Sequence, residues 1–526
     1  MKRYLRMLKQ EFHGYNLKSL TGDALAGITV AAVALPLALA FGVSSGADAA
    51  AGLITAIIAG LVIGTLSGGY YQISGPTGAM AAILMSLAAQ YGINGIFIAT
   101  FLAGALLLVA GIFRLGKLTS FIPMPVVTGF TSGIAVIIAL GQVDNLFGVT
   151  SQGTTTIEKL LSYGQLGFPI DWATLAIGVL VMLIMFFFPK KWNAVVPGSL
   201  VGIIIATLIS VLCGLDVATV GAIPQTLLPD SRLTLSMLDA DTVLSLLSPA
   251  VSIAILGMIE SLLCGASAGR MTGVRLDSNQ ELIAQGVGNM VLPFLGGIPA
   301  TAAIARTSVA IKSGAKTRLT GIFHALALLV FMLVLAPVMS MIPLSALAGV
   351  LIVTAWRMNE FHAIRYIFSH KLKSAMVMFL ATMLATIFFD LTVAILIGVG
   401  IAVVCLLARL SSLDIEVETL TEEELGLDLD AEQERELAGA RLVHISGPML
   451  FANAQQIEDT AAQLVGMRHV TFDLHAVSDL DLSGAQAFRA LTDAVKSQGA
   501  QVMVTDLTPR VHTMFHRCGL DDLLNN

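Results

Sequence analysis

Apolar stretches long enough to cross a lipid bilayer recur along the chain as far as about residue 410. An α-helix needs about 20 apolar residues to cross the hydrocarbon core of a bilayer. The stretches that meet or approach this length are Ala24–Val43, Ala49–Gly68, Ile96–Phe113, Thr174–Phe188, Pro197–Gly214, Gly321–Ile342 and Leu391–Leu407. Charged residues make up 12% of the chain, roughly half their share in soluble domains. The sequence therefore predicts a polytopic α-helical membrane protein.

The basic residues indicate which ends of these stretches face the cytoplasm. Residues 1–22 are basic and lack the apolar run of a cleavable signal peptide. Lys and Arg are enriched in short cytoplasmic loops, and further basic loops lie at Arg114–Lys117, Lys190–Lys191 and Arg357–Lys373. We therefore expect residues 1–22 to be a cytoplasmic N-terminal segment.

The C-terminal part of the chain is hydrophilic. Residues 411–437 are strongly acidic, which is typical of a solvated linker. Residues 438–526 then alternate between strand-like and helix-like segments, a pattern that predicts a small soluble α/β domain. The strand-like segments are Arg441–Ser446, His469–Leu474 and Gln501–Thr505, and the helix-like ones are Ala452–Val465, Gly484–Ser497 and Val511–Cys518.

Two breaks rich in glycine and proline interrupt the apolar part of the chain. The first is Ser74–Gly78, and the second is Gly296–Thr301; a short apolar run follows each. Broken backbone at membrane depth is tolerated only where it is packed in protein or lines a cavity. Matched breaks in two halves of a chain are typical of transporters with an internal repeat. The halves would span about residues 23–215 and 245–410 of a transport domain at 23–410.

Such breaks can create an anion site within the membrane. A half-helix that begins at a break presents free N–H groups and a partial positive charge at its N-terminus. Thr77 and Thr301 lie at or near these starts, where a hydroxyl can cap the helix or contact a ligand. The sequence therefore predicts that an anion binds between the two breaks.

Two charged side chains accompany the breaks at membrane depth, where charge is costly and often functional. Glu260 lies in an otherwise uncharged apolar run, and Arg306 follows the second break. In a functional interpretation, Glu260 carries a coupling proton or cation and Arg306 adds positive charge to the anion site. In a structural interpretation, they pair with each other or with polar neighbours. A third polar group, Glu281, Gln285 and Asn289, is expected to form hydrogen bonds between helices.

The motifs resemble those of the sulfate permease (SulP) family of anion transporters, in a bacterial form. The matching segments are LPLALAFG, QISGPTGAM, IESLLC, NQELIAQGVGN and GGIPATAAIARTS, followed by a domain that resembles STAS domains. The resemblance implies about fourteen membrane segments in two inverted repeats of seven, divided into core and gate domains. It also implies a homodimer in the bacterial inner membrane, a cytoplasmic STAS domain and an elevator-like transport mechanism.

The resemblance also implies roles for individual residues. Glu260 matches the position of the coupling ion, where sodium-coupled relatives have aspartate, and Cys264 replaces a nearby hydroxyl. Because sulfur is a poor sodium ligand, these differences favour a proton as the coupling ion over Na⁺. The substrate-binding residues implied by the match are Phe41, Thr77, Gly78, Ala79, Thr301, Ala302, Ala303 and Arg306.

In the STAS-like domain, Asp481–Gly484 resembles a turn that is phosphorylated in anti-sigma antagonists. Ser483 is therefore a possible regulatory site, although a serine at a helix start is also an ordinary N-cap. The partner of this domain, a second protein or a nucleotide, stays open.

These observations predict a secondary active transporter of sulfate, bicarbonate or a C4-dicarboxylate, coupled to protons. The alternatives are a sodium-coupled bicarbonate symporter, an uncoupled exchanger or channel, and an anion sensor that signals through the STAS domain. The sequence contains no nucleophile–base pair, metal cluster or phosphate-binding loop. An enzyme, a bound cofactor and a nucleic-acid partner are therefore not expected.

Overall fold

The computed structural model describes residues 2–117, 122–153, 156–189, 196–389, 391–410, 412–419 and 440–524. The basic loop Lys190–Lys191 and residues 420–437 of the acidic linker lie outside the described residues. The chain divides into two units, Met1–Val399 and Gly400–Asn526.

The first unit consists mainly of α-helices. Among the described residues, six helices are long and apolar enough to cross a membrane: Leu17–Ser44, Ala49–Leu66, Gly78–Ile112, Met124–Phe147, Ala240–Thr272 and Leu319–Met339. Shorter apolar helices span Trp172–Phe187, Gly198–Leu212, Lys373–Phe388 and Val393–Arg409. The other helices of at least eight residues are Lys2–Glu11, Thr156–Leu166, Ser278–Val291, Ile304–Lys312, Leu344–Met358 and Phe361–Ser369. The predicted polytopic architecture is confirmed, and the number of fourteen segments stays a prediction.

These helices pack in two groups. The core group comprises Leu17–Ser44, Ala49–Leu66, Gly78–Ile112, Ala240–Thr272, Ser278–Val291, Ile304–Lys312 and Leu319–Met339. The gate group comprises Met124–Gly141, Trp172–Phe187, Gly198–Leu212, Leu344–Met358 and Lys373–Phe388. The two groups touch where Gly78–Ile112 contacts Met124–Gly141 and where Leu17–Ser44 contacts Leu344–Met358.

Glycines allow the helices of the core group to approach closely. At the crossing of the first two long helices, a Cβ atom on Gly52 would overlap the carbonyl oxygen of Ala38. A Cβ atom on Gly104 would lie 2.6 Å from the backbone nitrogen of Met290. Small residues at such crossings let membrane helices pack backbone against backbone.

The N-terminal helix is tied to the core group by a buried ion pair. Glu11 Oε2 lies 2.7 Å from Arg318 Nη2, and both side chains are almost fully buried. Arg318 Nη1 also donates to the carbonyl oxygen of Thr65 at 2.6 Å. The next helix begins at Leu17, seven residues before the predicted apolar stretch Ala24–Val43, because the Asn16 side chain caps it by accepting from Ser19 N.

A two-stranded antiparallel sheet joins the two breaks. Strand β1, Ser74–Gly75, pairs with strand β2, Thr301–Ala302, so that Ser74 faces Ala302 and Gly75 faces Thr301. After β1, residues 78–91 form the first half-helix, which ends where Gly92 adopts a positive φ of 67°. After β2, Ile304–Lys312 forms the second half-helix. The sheet therefore brings the starts of both half-helices together.

The second unit contains a five-stranded sheet. Its strands are β3 (Asp414–Glu418), β4 (Ala440–Met449), β5 (His469–Asp473), β6 (Val477–Leu480) and β7 (Gln501–Thr505). The order is β3-β4-β5-β7, and β6 pairs with the end of β4; only β3 runs antiparallel to its neighbour. The α-helices among its described residues, apart from the end of Leu391–Leu410, are Ala454–Asp459, Leu482–Ser497 and Pro509–Arg517.

The observed elements of this unit differ from the predicted ones in three places. Strand β3 lies inside the expected linker, because Ile415 and Val417 alternate with acidic residues and pack against the core of the sheet. Strand β6 was not predicted, since its sequence VSDL lacks a regular alternation. The first helix is only Ala454–Asp459 and continues as a 3₁₀ helix, Thr460–Leu464.

The core of the second unit lies on one face of its sheet. Val443, Phe472 and Val504 are buried there, and Phe472 packs edge-to-face on Phe488 with ring centroids 5.2 Å apart. Residues on the opposite face, such as His444 and Thr471, are only half-buried. Helices therefore cover one face of the sheet more completely than the other.

Candidate functional site

The candidate site lies between the starts of the two half-helices. Thr77 caps the first half-helix, since its Oγ1 accepts from Met80 N at 3.5 Å. Thr301 does not cap the second one, because it is held in β2 and the N-cap position is Ala303. Thr77 therefore takes the predicted capping role, while the Thr301 hydroxyl lies 3.4 Å from that of Thr77 and makes no helix cap.

Glu260 binds both of these hydroxyls. The carboxylate reaches the site from the helix Ala240–Thr272, where Glu260 is half-buried. Thr77 Oγ1 donates to Glu260 Oε2 at 2.8 Å, and Thr301 Oγ1 donates to the same oxygen at 2.6 Å. One carboxylate oxygen therefore joins side chains from both breaks. This geometry fits the interpretation in which Glu260 carries a coupling ion. It also fits the interpretation in which Glu260 has a structural role, because polar neighbours bind it.

Arg306 lies next to strand β1 and has hydrogen-bond donors that no described residue accepts. The residue is 2% exposed, and its Nη2 donates to the carbonyl oxygen of Pro76 at 3.0 Å. Its Nε and Nη1 atoms have no hydrogen-bond partner among the described residues. Gly75 makes room for the guanidinium, since a Cβ atom there would lie 2.9 Å from Nη1. A buried cation with unused donors suits an anion or water nearby.

The helix Ser278–Val291 supports both breaks through its polar side chains. Asn289 Oδ1 accepts from Ala300 N at 2.8 Å, and its Nδ2 donates to Ala300 O at 3.0 Å. Gln285 Nε2 donates to Ser74 Oγ at 3.0 Å and to Glu281 Oε1 at 2.8 Å. Glu281 Oε2 accepts from Ser67 Oγ at 2.6 Å and from Gly68 N at 3.0 Å. The three residues therefore form hydrogen bonds to other segments, as predicted, but the partners lie in the breaks and after the end of a helix rather than within neighbouring helices.

Two further supporting residues were missed by sequence reasoning. Ser261 Oγ accepts from Ala302 N at 3.3 Å, and Thr307 Oγ1 accepts from Ile73 N at 3.0 Å. Thr307 Oγ1 also accepts from Cys264 Sγ at 3.2 Å. Each of the two lies next in sequence to a charged candidate, Glu260 or Arg306, and this adjacency was the available signal.

The two backbone N–H groups that directly follow the second break already have acceptors. Ala302 N donates to Ser261, as described, and Ala303 N donates to the carbonyl oxygen of Ile73 at 3.0 Å. The first N–H groups of a helix have no acceptor within it, and in the second half-helix these belong to Ile304 and Ala305. In the first half-helix they belong to Gly78 and Ala79.

Phe41 lies at the edge of the site, where the core and gate groups meet. A Cβ atom on Gly78 would lie 3.1 Å from Cε1 of Phe41 and 2.6 Å from Cδ1 of Ile138, a gate residue. Phe41 is nearly fully buried. The ring therefore packs against the start of the first half-helix, and its contact with a substrate stays a prediction.

In the second unit, Asp481 rather than Ser483 caps the helix Leu482–Ser497. Asp481 Oδ1 accepts from Gly484 N at 2.8 Å, and its Oδ2 accepts from Phe451 N at 2.9 Å. The expected N-cap role of Ser483 is wrong, because the helix starts one residue before it. A regulatory role of Ser483 stays a prediction.

Comparisons with known proteins agree with this architecture. Residues 20–382 match the model of the sulfate permease family, and residues 432–526 match that of the STAS domain. The protein YvdB of Bacillus subtilis (strain 168) is 35% identical, over 97% of this chain and 96% of the relative. The bicarbonate transporter BicA of Synechocystis sp. is 31% identical, over 94% of this chain and 89% of the relative.

A solved structure has the same fold. The murine anion transporter Slc26a9, in its inward-facing state, superposes with a TM-score of 0.83 over 97% of this chain and 89% of the other, at 17% identity. Given the family match over most of the transmembrane unit and the relatives above 30% identity, the chain belongs to the sulfate permease family, with a C-terminal STAS domain.

Proposed function

We propose that the chain is a secondary active transporter that moves a small oxyanion, sulfate or bicarbonate, together with a proton. Relatives in this family are transporters. This agrees with the prediction from the sequence that the chain is not an enzyme. A C4-dicarboxylate is a third candidate substrate. We place the transporter in the bacterial inner membrane as a homodimer, with its N-terminus and STAS domain in the cytoplasm.

The anion would bind between the two half-helices. The N–H groups of Gly78 and Ala79 at the first start, and of Ile304 and Ala305 at the second, have no acceptor within their helices and supply partial positive charge. Arg306 supplies a full charge from beneath β1, with two donor atoms that no described residue accepts. Hydroxyls and backbone N–H groups suit an oxyanion without requiring one particular shape. Phe41 would close the side of the site that faces the gate group.

The shared oxygen of Glu260 is the observation that carries the coupling mechanism. When ionised, Glu260 engages the hydroxyls of Thr77 and Thr301 and adds negative charge where the anion would bind. When protonated, Glu260 no longer repels the anion, and the two hydroxyls can turn toward the anion. Proton and anion would therefore bind together, which is the requirement for symport.

Sodium is the second candidate coupling ion. The oxygens of Glu260, Thr77 and Thr301 meet within 3.4 Å of one another, and Na⁺ prefers oxygen ligands. However, the neighbouring Cys264 sulfur donates to Thr307 rather than adding an oxygen to this set. The proton is therefore the coupling ion that we propose.

Alternating access would follow from motion of the core group along the gate group. Both half-helices, Glu260 and Arg306 belong to the core group, so the whole site would move as one body. The gate group would act as the fixed wall, with Ile138 against Gly78 at the contact between them.

The proposed function is tested by uptake into liposomes that contain the purified protein. Labelled sulfate, bicarbonate and fumarate are offered with an inward proton gradient, with an inward sodium gradient, and with neither. Accumulation of one of these anions with the proton gradient alone supports proton symport. Accumulation with sodium alone would assign Na⁺ as the coupling ion. Uptake that does not depend on either gradient would indicate that the protein is an exchanger or channel. Anion binding without uptake would indicate that it is a sensor.

A further inference from the structure

Two histidines and an aspartate cluster on the less covered face of the sheet in the second unit. His444 on β4 lies directly opposite Asp473, the last residue of β5, in the parallel ladder. His475 follows two residues later, in the turn that leaves β5. The cluster is therefore held by a strand pair and by the turn after it.

The side chains converge on one carboxylate. His444 Nδ1 lies 2.8 Å from Asp473 Oδ2, and His475 Nδ1 lies 2.9 Å from the same oxygen. The backbone nitrogen of His475 also donates to Asp473 Oδ1 at 3.0 Å, which fixes the turn. One atom from each of the three residues lies within 4.8 Å of the other two.

Both ring nitrogens of His444 face carboxylates. Its other nitrogen, Nε2, lies 3.6 Å from Glu418 Oε2 on β3. A neutral imidazole has one N–H group and one lone pair, so it can donate to only one of these two carboxylates. A cation bound at Nδ1 would remove this conflict, because the Nε2–H group would then face Glu418. Metal-bound histidines commonly orient their second nitrogen toward a carboxylate in this way.

We propose that His444, Asp473 and His475 form a binding site for a divalent transition metal of the Zn²⁺ class. Both imidazoles would bind through Nδ1, Asp473 would supply one carboxylate oxygen, and water would fill the fourth position. Imidazole and carboxylate together suit Zn²⁺ and its first-row neighbours. Glu418 acts as a positioning residue that orients His444.

Metal binding requires the two Nδ1 atoms to move from their present distances of 2.8 and 2.9 Å to Asp473 Oδ2. In a tetrahedral site with metal–ligand bonds of about 2.0–2.2 Å, adjacent ligand atoms lie roughly 3.3–3.5 Å apart. The side chains of His444 and His475 are 30% and 66% exposed, and that of Asp473 is 12% exposed. The two imidazoles are therefore free to open around an ion, while Asp473 is held by the strand.

The test uses full-length protein that carries no polyhistidine tag, purified in detergent and treated with a chelator. Zn²⁺ binding is measured by calorimetry, and Co²⁺ is added as a spectroscopic probe of coordination. We expect one Zn²⁺ per chain and the visible absorption of a four-coordinate Co²⁺ site. Both signals should be lost in His475→Ala, whose exposed position leaves the core of the sheet unchanged, and in His444→Ala.

Two matched variants sharpen the result. His469→Ala removes another exposed histidine, from the start of β5, and should leave metal binding unchanged. Glu418→Gln should weaken binding about tenfold, the effect of losing a partner outside the ligand set. If the wild type binds no Zn²⁺ in a saturable manner, or if binding survives in both histidine variants, the proposal is overturned.

Discussion

Thr77 and Thr301, 224 residues apart in the sequence, place their hydroxyl oxygens 3.4 Å from each other. Both donate to the same oxygen of Glu260. Because each threonine belongs to one of the two breaks, the carboxylate contacts both halves of the chain. Any change in its charge alters both halves of the proposed anion site.

The two hydroxyls should contribute to anion affinity. Thr301→Val keeps the shape of the side chain but removes the donor, and a hydrogen bond to a charged group contributes about 1.5–3 kcal/mol. We expect the apparent KM for anion uptake to rise by about tenfold or more. Thr301→Ser, which restores the hydroxyl, is the matched control and should remain close to wild type. An unchanged KM in the valine variant would show that the Thr301 hydroxyl does not contribute to anion binding.

The glycine crossing in the core group should be essential for folding. Gly52→Ala would force a Cβ atom into the carbonyl oxygen of Ala38, and backbone cannot yield as a flexible side chain can. We expect little folded protein after extraction, measured by fluorescence-detected size-exclusion chromatography. Gly64→Ala lies in the same helix with nothing within 4 Å of the new atom, and it should fold like wild type. Equal yields of folded protein for both variants would contradict the close backbone contact at Gly52.

The buried ion pair between Glu11 and Arg318 should stabilise the first unit. Glu11→Gln leaves the buried guanidinium without its counter-charge, and breaking such a pair costs about 3–5 kcal/mol. We expect a clear fall in the apparent unfolding temperature. The control is Asp522→Asn, which breaks the exposed pair with Arg489 and should cost at most about 1 kcal/mol. Similar shifts in the two variants would show that the Glu11 pair is not special.

The cap of the helix Leu482–Ser497 should depend on Asp481 rather than Ser483. Asp481→Ala removes acceptors for the N–H groups of Gly484 and Phe451, and losing an N-cap costs about 0.5–2 kcal/mol. Ser483→Ala should leave stability unchanged. Hydrogen exchange of the amides at residues 482–486 measures both effects, and faster exchange in the serine variant alone would reverse the assignment.

The sequence was sufficient to predict several of the membrane helices and the two breaks, because both depend on local composition. The helices Met124–Phe147 and Lys373–Phe388 were not among the predicted apolar stretches. Runs of apolar residues specify helices in a bilayer, and glycine with proline marks the places where a helix must stop. The pairing of β1 with β2 could not be predicted in register, since it joins residues more than 200 positions apart. The side-chain direction of Thr301 depends on that register.

The remaining differences come from features with weak local signals. The N–H groups of Ala302 and Ala303 bind Ser261 and Ile73, which no local pattern indicated. The substrate-binding role of these two alanines stays a prediction. Strand β3 was hidden because its acidic residues outnumber its apolar ones, although the apolar ones alternate correctly. In both places, the contact with a distant partner decides the structure.

The most direct test of the account compares anion uptake by wild type and Glu260→Gln in liposomes, with and without an inward proton gradient. Glu360→Gln, in an exposed position of the first unit, serves as the matched control. We expect the gradient to accelerate uptake in wild type and control, and Glu260→Gln to lose this acceleration while it still exchanges anion across the membrane. Undiminished acceleration in Glu260→Gln would contradict the central claim that Glu260 couples the proton to the anion.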